Sequence, residues 1–341
     1  MTQQPLNIGV IGAGRIGRVH AANLATRIPS ARVAVVADTV AAAAERCAAD
    51  FGIPKAVGDY RAVLDDRDVE AVLICTATDT HARIIEEAAQ AGKQIFCEKP
   101  IALDLASIDR ALAAVERAGV KLQIGFNRRF DANFRRVRQA VERGEIGKPE
   151  LLHIVSRDPA PPPISYVKVS GGIFVDMTIH DFDMARFLVG SEVEEVYASG
   201  GVLVDPAIGE AGDIDTALTV LRFASGAIGT IDNSRRAVYG YDQRVEVFGS
   251  GGAIASSNNY PNNTTISDAQ SVRRDLPLNF FMDRYTESFV TELSEFVAAV
   301  TQGAPVPVSG ADGRVPVVMA LAARKSYLEH RPVKLSEVEP V

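Results

Sequence analysis

The chain has 341 residues, 47% of them hydrophobic and 23% charged, with a formal net charge of −7. That length exceeds what one hydrophobic core usually serves, so two domains are expected, and the balance of residues excludes a largely disordered chain. The acidic excess argues against nucleic acid or an anionic membrane as partner, since both demand basic surface.

From the N-terminus, MTQQPLNIGVIG lacks the basic and long apolar regions of a leader, and no run of eighteen apolar residues follows anywhere, so a cytoplasmic protein is expected. Short apolar runs then alternate with amphipathic stretches. LNIGVIG, RVAVVAD, EAVLICTA, KQIFCEK and VKLQIGF have strand length, while Arg15–Arg27, Thr39–Phe51, Thr80–Ala91 and Leu105–Ala118 have helical periodicity. Strands apolar on both faces and separated by helices predict a doubly wound parallel sheet over 1–125. Cys47, Cys75 and Cys97 are odd in number and show no ligand spacing; Cys75 and Cys97 close apolar runs and are expected in the core, with no metal site.

Near residue 125 the pattern changes. A helix is predicted over Phe130–Arg143, stopped by Gly147-Lys148-Pro149, and the arginines 128, 129, 135, 136 and 138 read as a solvated face or subunit contact. LLHIVSR is a strand, the proline-rich Asp158–Ile164 is neither central strand nor helix interior, and a helix is predicted from Ile173 to Leu188. EVYASGGVLV, DTALTVLRF, GAIGTIDNSR, QRVEVFG and GGAIASS follow through short glycine-containing turns, which only antiparallel neighbours can use. Helices over Arg284–Thr301 and Gly310–Glu329 and a short strand close an α+β domain spanning 126–341.

Chemistry first appears at Gly12-Ala13-Gly14-Arg15-Ile16-Gly17, directly after the first strand and opening a helix. There Gly12 permits a tight turn, Gly14 lets backbone approach a pyrophosphate, and Gly17 allows close helix–strand packing. The helix N-terminus supplies unpaired N–H groups to the phosphates. Asp38 ends the second strand at the distance expected of a ribose-binding acid, where a 2′-phosphate would meet like charge; NAD is the expected cofactor.

Two further motifs lie downstream. Glu98-Lys99-Pro100 ends a parallel strand, on the edge where such sheets bind ligands. Gly171-Gly172-Ile173-Phe174-Val175-Asp176-Met177-Thr178-Ile179-His180-Asp181-Phe182-Asp183 carries Asp176, His180 and Asp183 on one face of the predicted helix, so carboxylate and imidazole stand at i, i+4.

GAGRIG, EKP and GGxxxDxxxHDxD, in that order over nearly the whole chain, resemble the glucose-fructose oxidoreductase/inositol dehydrogenase/MocA (Gfo/Idh/MocA) family. GFNRRFD at 125–131 and YGYDQRVEV at 239–247 resemble its inositol 2-dehydrogenase branch. The resemblance implies a catalytic set of Lys99, Asp176 and His180, a cofactor loop including Thr76 and His81, a cis Lys99–Pro100 peptide, and a homotetramer. It also implies oxidation of a ring hydroxyl of a cyclic polyol, myo- or scyllo-inositol, with NAD as acceptor. His180 suits the role of base, Asp176 that of its orienting partner, and Lys99 that of a cation beside the reacting oxygen. Arg128, Ser156, Asp158, Asn233 and Tyr241 are candidates for the polar lining. Ser156 stands where that branch often has histidine, which leaves a pyranose sugar as the alternative substrate. A silent NAD-binding sensor would not need Lys99, Asp176 and His180 together. A metal hydrolase built on Asp176, His180 and Asp183 would lack a second ligand pair among the five histidines.

Overall fold

A computed structural model describes residues 4–338; the first three residues, part of the stretch read for a leader, lie outside it. In chain order come β1 (Leu6–Ile11), α1 (Arg15–Arg27), β2 (Ala31–Ala37), α2 (Ala41–Phe51), β3 (Ala56–Val57), α3 (Arg61–Leu64), β4 (Ala71–Ile74), α4 (Thr78–Gln90), β5 (Gln94–Glu98), α5 (Leu105–Ala118) and β6 (Leu122–Gly125). The six strands are all parallel, in the order β3-β2-β1-β4-β5-β6. This order is that of a dinucleotide-binding sheet, whose switch point falls between β1 and β4. Local chemistry sets the helix limits. Asp104 accepts the Ser107 N–H at 2.8 Å and starts α5, and Gly119, at φ 65°, ends it. The helix predicted from Thr39 begins instead at Ala41, because Asp38 Oδ1 takes the Val40 N–H at 2.8 Å and holds a turn there. β3 and α3, with two and four residues, are too short to leave a periodic signal.

After a 3₁₀ turn at Asn127–Phe130, Asp131 accepts from the Asn133 and Phe134 amides and caps α6 (Ala132–Glu142). There follow β7 (Pro149–Arg157), α7 (Ile164–Val167), α8 (Ile173–Asp176), α9 (Ile179–Val189), β8 (Val193–Gly201), α10 (Pro206–Glu210), β9 (Thr216–Phe223), β10 (Ile228–Ser234), β11 (Asp242–Gly249), β12 (Gly252–Ser256), the hairpin β13 (Ile266–Ser267) and β14 (Val272–Arg273), and α11 (Phe281–Arg284). The chain closes with α12 (Thr286–Gln302), α13 (Gly310–Glu329) and β15 (Val333–Lys334). The second sheet runs β12-β11-β7-β10-β9-β8-β15 and is antiparallel except at β7–β10. Its strands alternate between buried and exposed positions, and α9 packs on β7 and against α6.

Two expectations need correction. The single helix predicted from Ile173 to Leu188 is two: α8 ends at Asp176, and α9 starts at Ile179. At the break both the Met177 and Thr178 amides donate to the Ile173 carbonyl, and the Thr178 hydroxyl is drawn to Asn233 Oδ1 at 2.9 Å. A tertiary hydrogen bond thus interrupts a sequence whose periodicity runs on. The arginines after residue 127 are also not one solvated face: Arg128 is 5% exposed on the 3₁₀ turn, and Arg129 pairs with Asp312 at 3.0 Å.

The chain divides into two compact units. One comprises the residues up to Phe130 together with Glu287–Val317; the other comprises Asp131–Thr286 and the residues from Val318 on. The boundary drawn at 125/126 therefore misses a returning segment. Leu293, Phe296 and Val297 of α12 join Ile8, Leu73 and Phe96 in the first unit's core. All three cysteines are buried and free, and no helix among the described residues is long and apolar enough to cross a membrane.

Candidate active site

The turn after β1 is built by what its glycines lack. Gly12 sits at φ 101°, and a Cβ there would come within 2.6 Å of the Cys75 carbonyl oxygen; a Cβ on Gly17 would lie 1.9 Å from the Gly12 carbonyl oxygen. Gly14 faces open space and N-caps α1 without any side-chain cap. The first amides of α1, at Arg15, Ile16 and Gly17, therefore begin a helix in the manner of an anion cradle. Asp38 closes the loop: its Oδ2 accepts the Ala13 N–H at 2.7 Å. These features fit a dinucleotide: an uncapped helix end for the pyrophosphate, and a carboxylate beside it for a ribose diol.

The neighbouring strand ends are braced together. The His81 ring nitrogens lie 2.8 Å from the Pro100 carbonyl and 3.0 Å from that of Thr76, and the ring is 1% exposed. His81 thus acts as a strut between two loops, while Thr76 reaches the Thr80 hydroxyl at 2.7 Å. Glu98 Oε1 lies 2.6 Å from His20 Nε2, Lys99 is half-buried, and the Lys99–Pro100 peptide is cis, as expected. Burial pushes the Cys75 and Cys97 thiols well up, so neither is poised as a thiolate.

In the second unit, every residue from Ile173 to Ala185 is buried except Asp176 and His180. Asp183 is fully buried, so the three-residue face read from the sequence keeps two accessible members. Asp176 is held from two sides: the Tyr166 hydroxyl donates to Oδ1 at 2.7 Å, and the Arg235 guanidinium donates to Oδ2 at 3.2 Å. Arg235 is 1% exposed and also faces Asp213 at 3.8 Å, while Asp213 Oδ1 receives the Ile173 N–H at the start of α8. Ser156, Asn233 and Gln243 lie in register on β7, β10 and β11, all buried. Ser156 bonds to the Gln243 amide, and Asn233 donates to Asp181 Oδ2 at 2.8 Å. Asp158 is half-buried just past β7, Tyr241 is 6% exposed and stacks edge-on against Tyr285, and Arg128 sits in the other unit.

Residues 6–126 match the oxidoreductase family model described as an NAD-binding Rossmann fold, and residues 134–255 match that of the GFO/IDH/MocA C-terminal domain. The myo-inositol 2-dehydrogenase of Thermotoga maritima is 51% identical over 98% of this chain and 99% of its own length. The chain belongs to the Gfo/Idh/MocA oxidoreductase family. It is an NAD-dependent dehydrogenase. A crystal structure of a probable dehydrogenase from T. maritima superposes with a TM-score of 0.96 at 51% identity, covering 98% of this chain and all of that one. The scyllo-inositol dehydrogenase of Lactobacillus casei, solved with NAD(H) and scyllo-inositol, is 29% identical with a TM-score of 0.91, covering 98% and 100%.

Arg235, Tyr166 and Gln243 did not stand out in the sequence, because each is defined by a partner far along the chain. Arg235 gave the weakest signal, sitting in a run of two arginines after a strand. Replacing it with Met should strand the Asp176 carboxylate beside Asp213 and destabilise the fold by about 3–5 kcal/mol, the cost of breaking a buried pair from one side. Denaturant titration of R235M against the parent protein measures this.

Proposed function

We propose that this Gfo/Idh/MocA dehydrogenase oxidises one ring hydroxyl of an inositol to the ketone, with Lys99, Asp176 and His180 as its catalytic set. The observation carrying this reading is the pair Asp176 and His180, the two residues that break an otherwise buried stretch of thirteen. The names of the T. maritima and L. casei relatives, one for myo- and one for scyllo-inositol, support the substrate class.

Oxidising a carbinol requires its hydroxyl proton to leave as the carbonyl forms. His180 would take that proton, and the carboxylate of Asp176 would stabilise the resulting imidazolium. The Arg235 and Tyr166 bonds to Asp176 fix that carboxylate in orientation. Lys99 would stabilise alkoxide character on the reacting oxygen. Gly12, Gly14, Arg15, Ile16 and Gly17, with Asp38, Thr76 and Glu98, would hold the dinucleotide, which supplies the hydride acceptor when bound. Arg128, Ser156, Asp158 and Tyr241 are proposed for the substrate hydroxyls.

We also propose a homotetramer. Phe248, Leu151 and Ile228, in register across β11, β7 and β10, are 44%, 40% and 44% exposed. Such an apolar row on one sheet face suits a subunit contact. Light scattering coupled to gel filtration should give four chains, and a monomer would refute it.

Replacing Asp38 with Ser, together with a nearby basic residue, should move preference from NAD toward NADP, since a 2′-phosphate no longer meets like charge. The ratio of kcat/KM for the two cofactors reports it, and an unchanged ratio removes the role given to Asp38.

His180→Ala should lower kcat for inositol oxidation by about 10²–10⁴-fold at neutral pH, with NAD affinity retained. In the parent enzyme kcat/KM should rise with pH through one ionisation, and this step should vanish in the variant. Asp176→Asn should act in the same direction and be strongly non-additive with it. Rates on a panel of myo-inositol, scyllo-inositol and glucose, with NAD binding followed by fluorescence, test all of this; retained activity with the same pH profile would name another group as base.

A further inference from the structure

Two buried polar side chains of the first unit, His20 and Glu292, remain outside this chemistry, and both meet Glu98 behind the proposed cofactor site. His20 on α1, Glu98 at the end of β5 and Glu292 on α12 bring one ring nitrogen and two carboxylate oxygens within 4.8 Å of one another. His20 and Glu292 are fully buried, and Glu98 keeps 14% of its side chain exposed. Phe96 and Phe289 stand edge-on to the His20 ring, so the cluster has apolar walls. His20 Nε2 satisfies Glu98 Oε1. Glu98 Oε2 lies over Gly125, where a Cβ would come within 3.1 Å of it.

Glu292 is the anomaly. Neither of its oxygens receives a hydrogen bond from any described residue. The titratable groups around it are Glu98 from β5, His20 from α1 and Cys75 just past β4, and no Lys or Arg pairs with it among the described residues. The side chain of Gln123 on β6 donates to the Glu292 backbone carbonyl, not to its carboxyl. Burying a bare carboxylate without a donor is strongly unfavourable, and a second carboxylate beside it adds like-charge repulsion. A neutral acid removes both costs, because its O–H becomes a donor to the carboxylate next to it.

We propose that Glu292 is a neutral carboxylic acid that shares its proton with Glu98, and that His20, Glu98 and Glu292 form one buried unit that positions the Glu98-Lys99-Pro100 turn. Burial, and then the neighbouring Glu98 charge, raise the Glu292 carboxyl well above the ordinary glutamate range, in accord with this geometry. His20 and Glu292 are positioning residues: they act on Lys99 through Glu98, and this second half rests on the assignment of Lys99 to the reaction.

The sign of the pH effect follows from linkage. The folded chain holds a proton that the unfolded chain releases near the free glutamate value of about 4.3, so this group's contribution is fully present below that value and is lost as pH rises through the folded value. Glu292→Gln keeps a neutral donor and has no proton to lose. Its melting temperature should therefore gain on the parent protein by about 2–4 °C per pH unit as pH rises through this window. A constant difference, or a variant that loses ground with rising pH, overturns the neutral acid. One equivalent of tightly bound zinc or manganese in the purified enzyme would overturn it as well.

Positioning is read separately. Glu292→Leu, which has no donor, should lower kcat by about tenfold with the KM for NAD unchanged, and Glu292→Gln should restore it. Equal kcat in both variants and the parent overturns the positioning role. Lys99→Ala tests the catalytic assignment by itself: full activity there would sink that assignment while leaving the melting experiment to decide the state of Glu292.

Discussion

A missing methyl group at position 17 sets the geometry of the first unit. With no Cβ on Gly17, α1 settles against the Gly12 carbonyl, and Gly12 in turn lies against the Cys75 carbonyl at the end of β4. Any side chain at either position would push the helix off the sheet at its switch point. The same contact aims the uncapped end of α1 past Gly14 into open space, where a phosphate can be met by backbone alone. Core packing and cofactor recognition are here one constraint, which is why three glycines recur within six positions.

The second unit solves a different problem, that of keeping two polar groups accessible within a buried segment. Thr178 bends the chain toward Asn233, so that Asp176 and His180 belong to different helices while their neighbours fill the core. Arg235 reaches back from the end of β10 to hold Asp176 and Asp213 together, and Asp213 in turn receives the first amide of α8. A permanently charged guanidinium fixes the carboxylate whatever the protonation state of the nearby imidazole. The placement of Asp176 in this unit is thus set by the end of the sheet rather than by the helix that carries it.

Much of this could be read from the chain because it is local. The limits of α1, α5 and α13 agree with their periodicity, α5 with its Asp104 cap as well, and the parallel sheet follows from apolar runs alternating with helices. Gly12 to Gly17 and Asp38 were legible because their spacing encodes the turn itself. The break at Met177–Thr178 was not, since its cause, Asn233, lies 55 residues away. Arg235 and Glu292 escaped for the same reason: an arginine or glutamate in an amphipathic stretch looks solvated until its distant neighbours are known. The returning segment of 287–317 left no compositional mark, because the apolar face of α12 has the same pattern whichever core receives it.

That return has a consequence for biosynthesis. The first unit draws Leu293, Phe296 and Val297 into its core, yet these residues leave the ribosome only after the whole stretch from Asp131 to Thr286 has been made. At translation rates of about 5–20 residues per second, the nascent sheet waits roughly ten to thirty seconds with the seat of α12 uncovered. The N-terminal half therefore cannot finish folding as an independent vectorial unit, and an apolar surface beside Phe96 stays open to chaperones or to wrong partners throughout that interval. Cutting the gene after the Rossmann segment would make that exposure permanent.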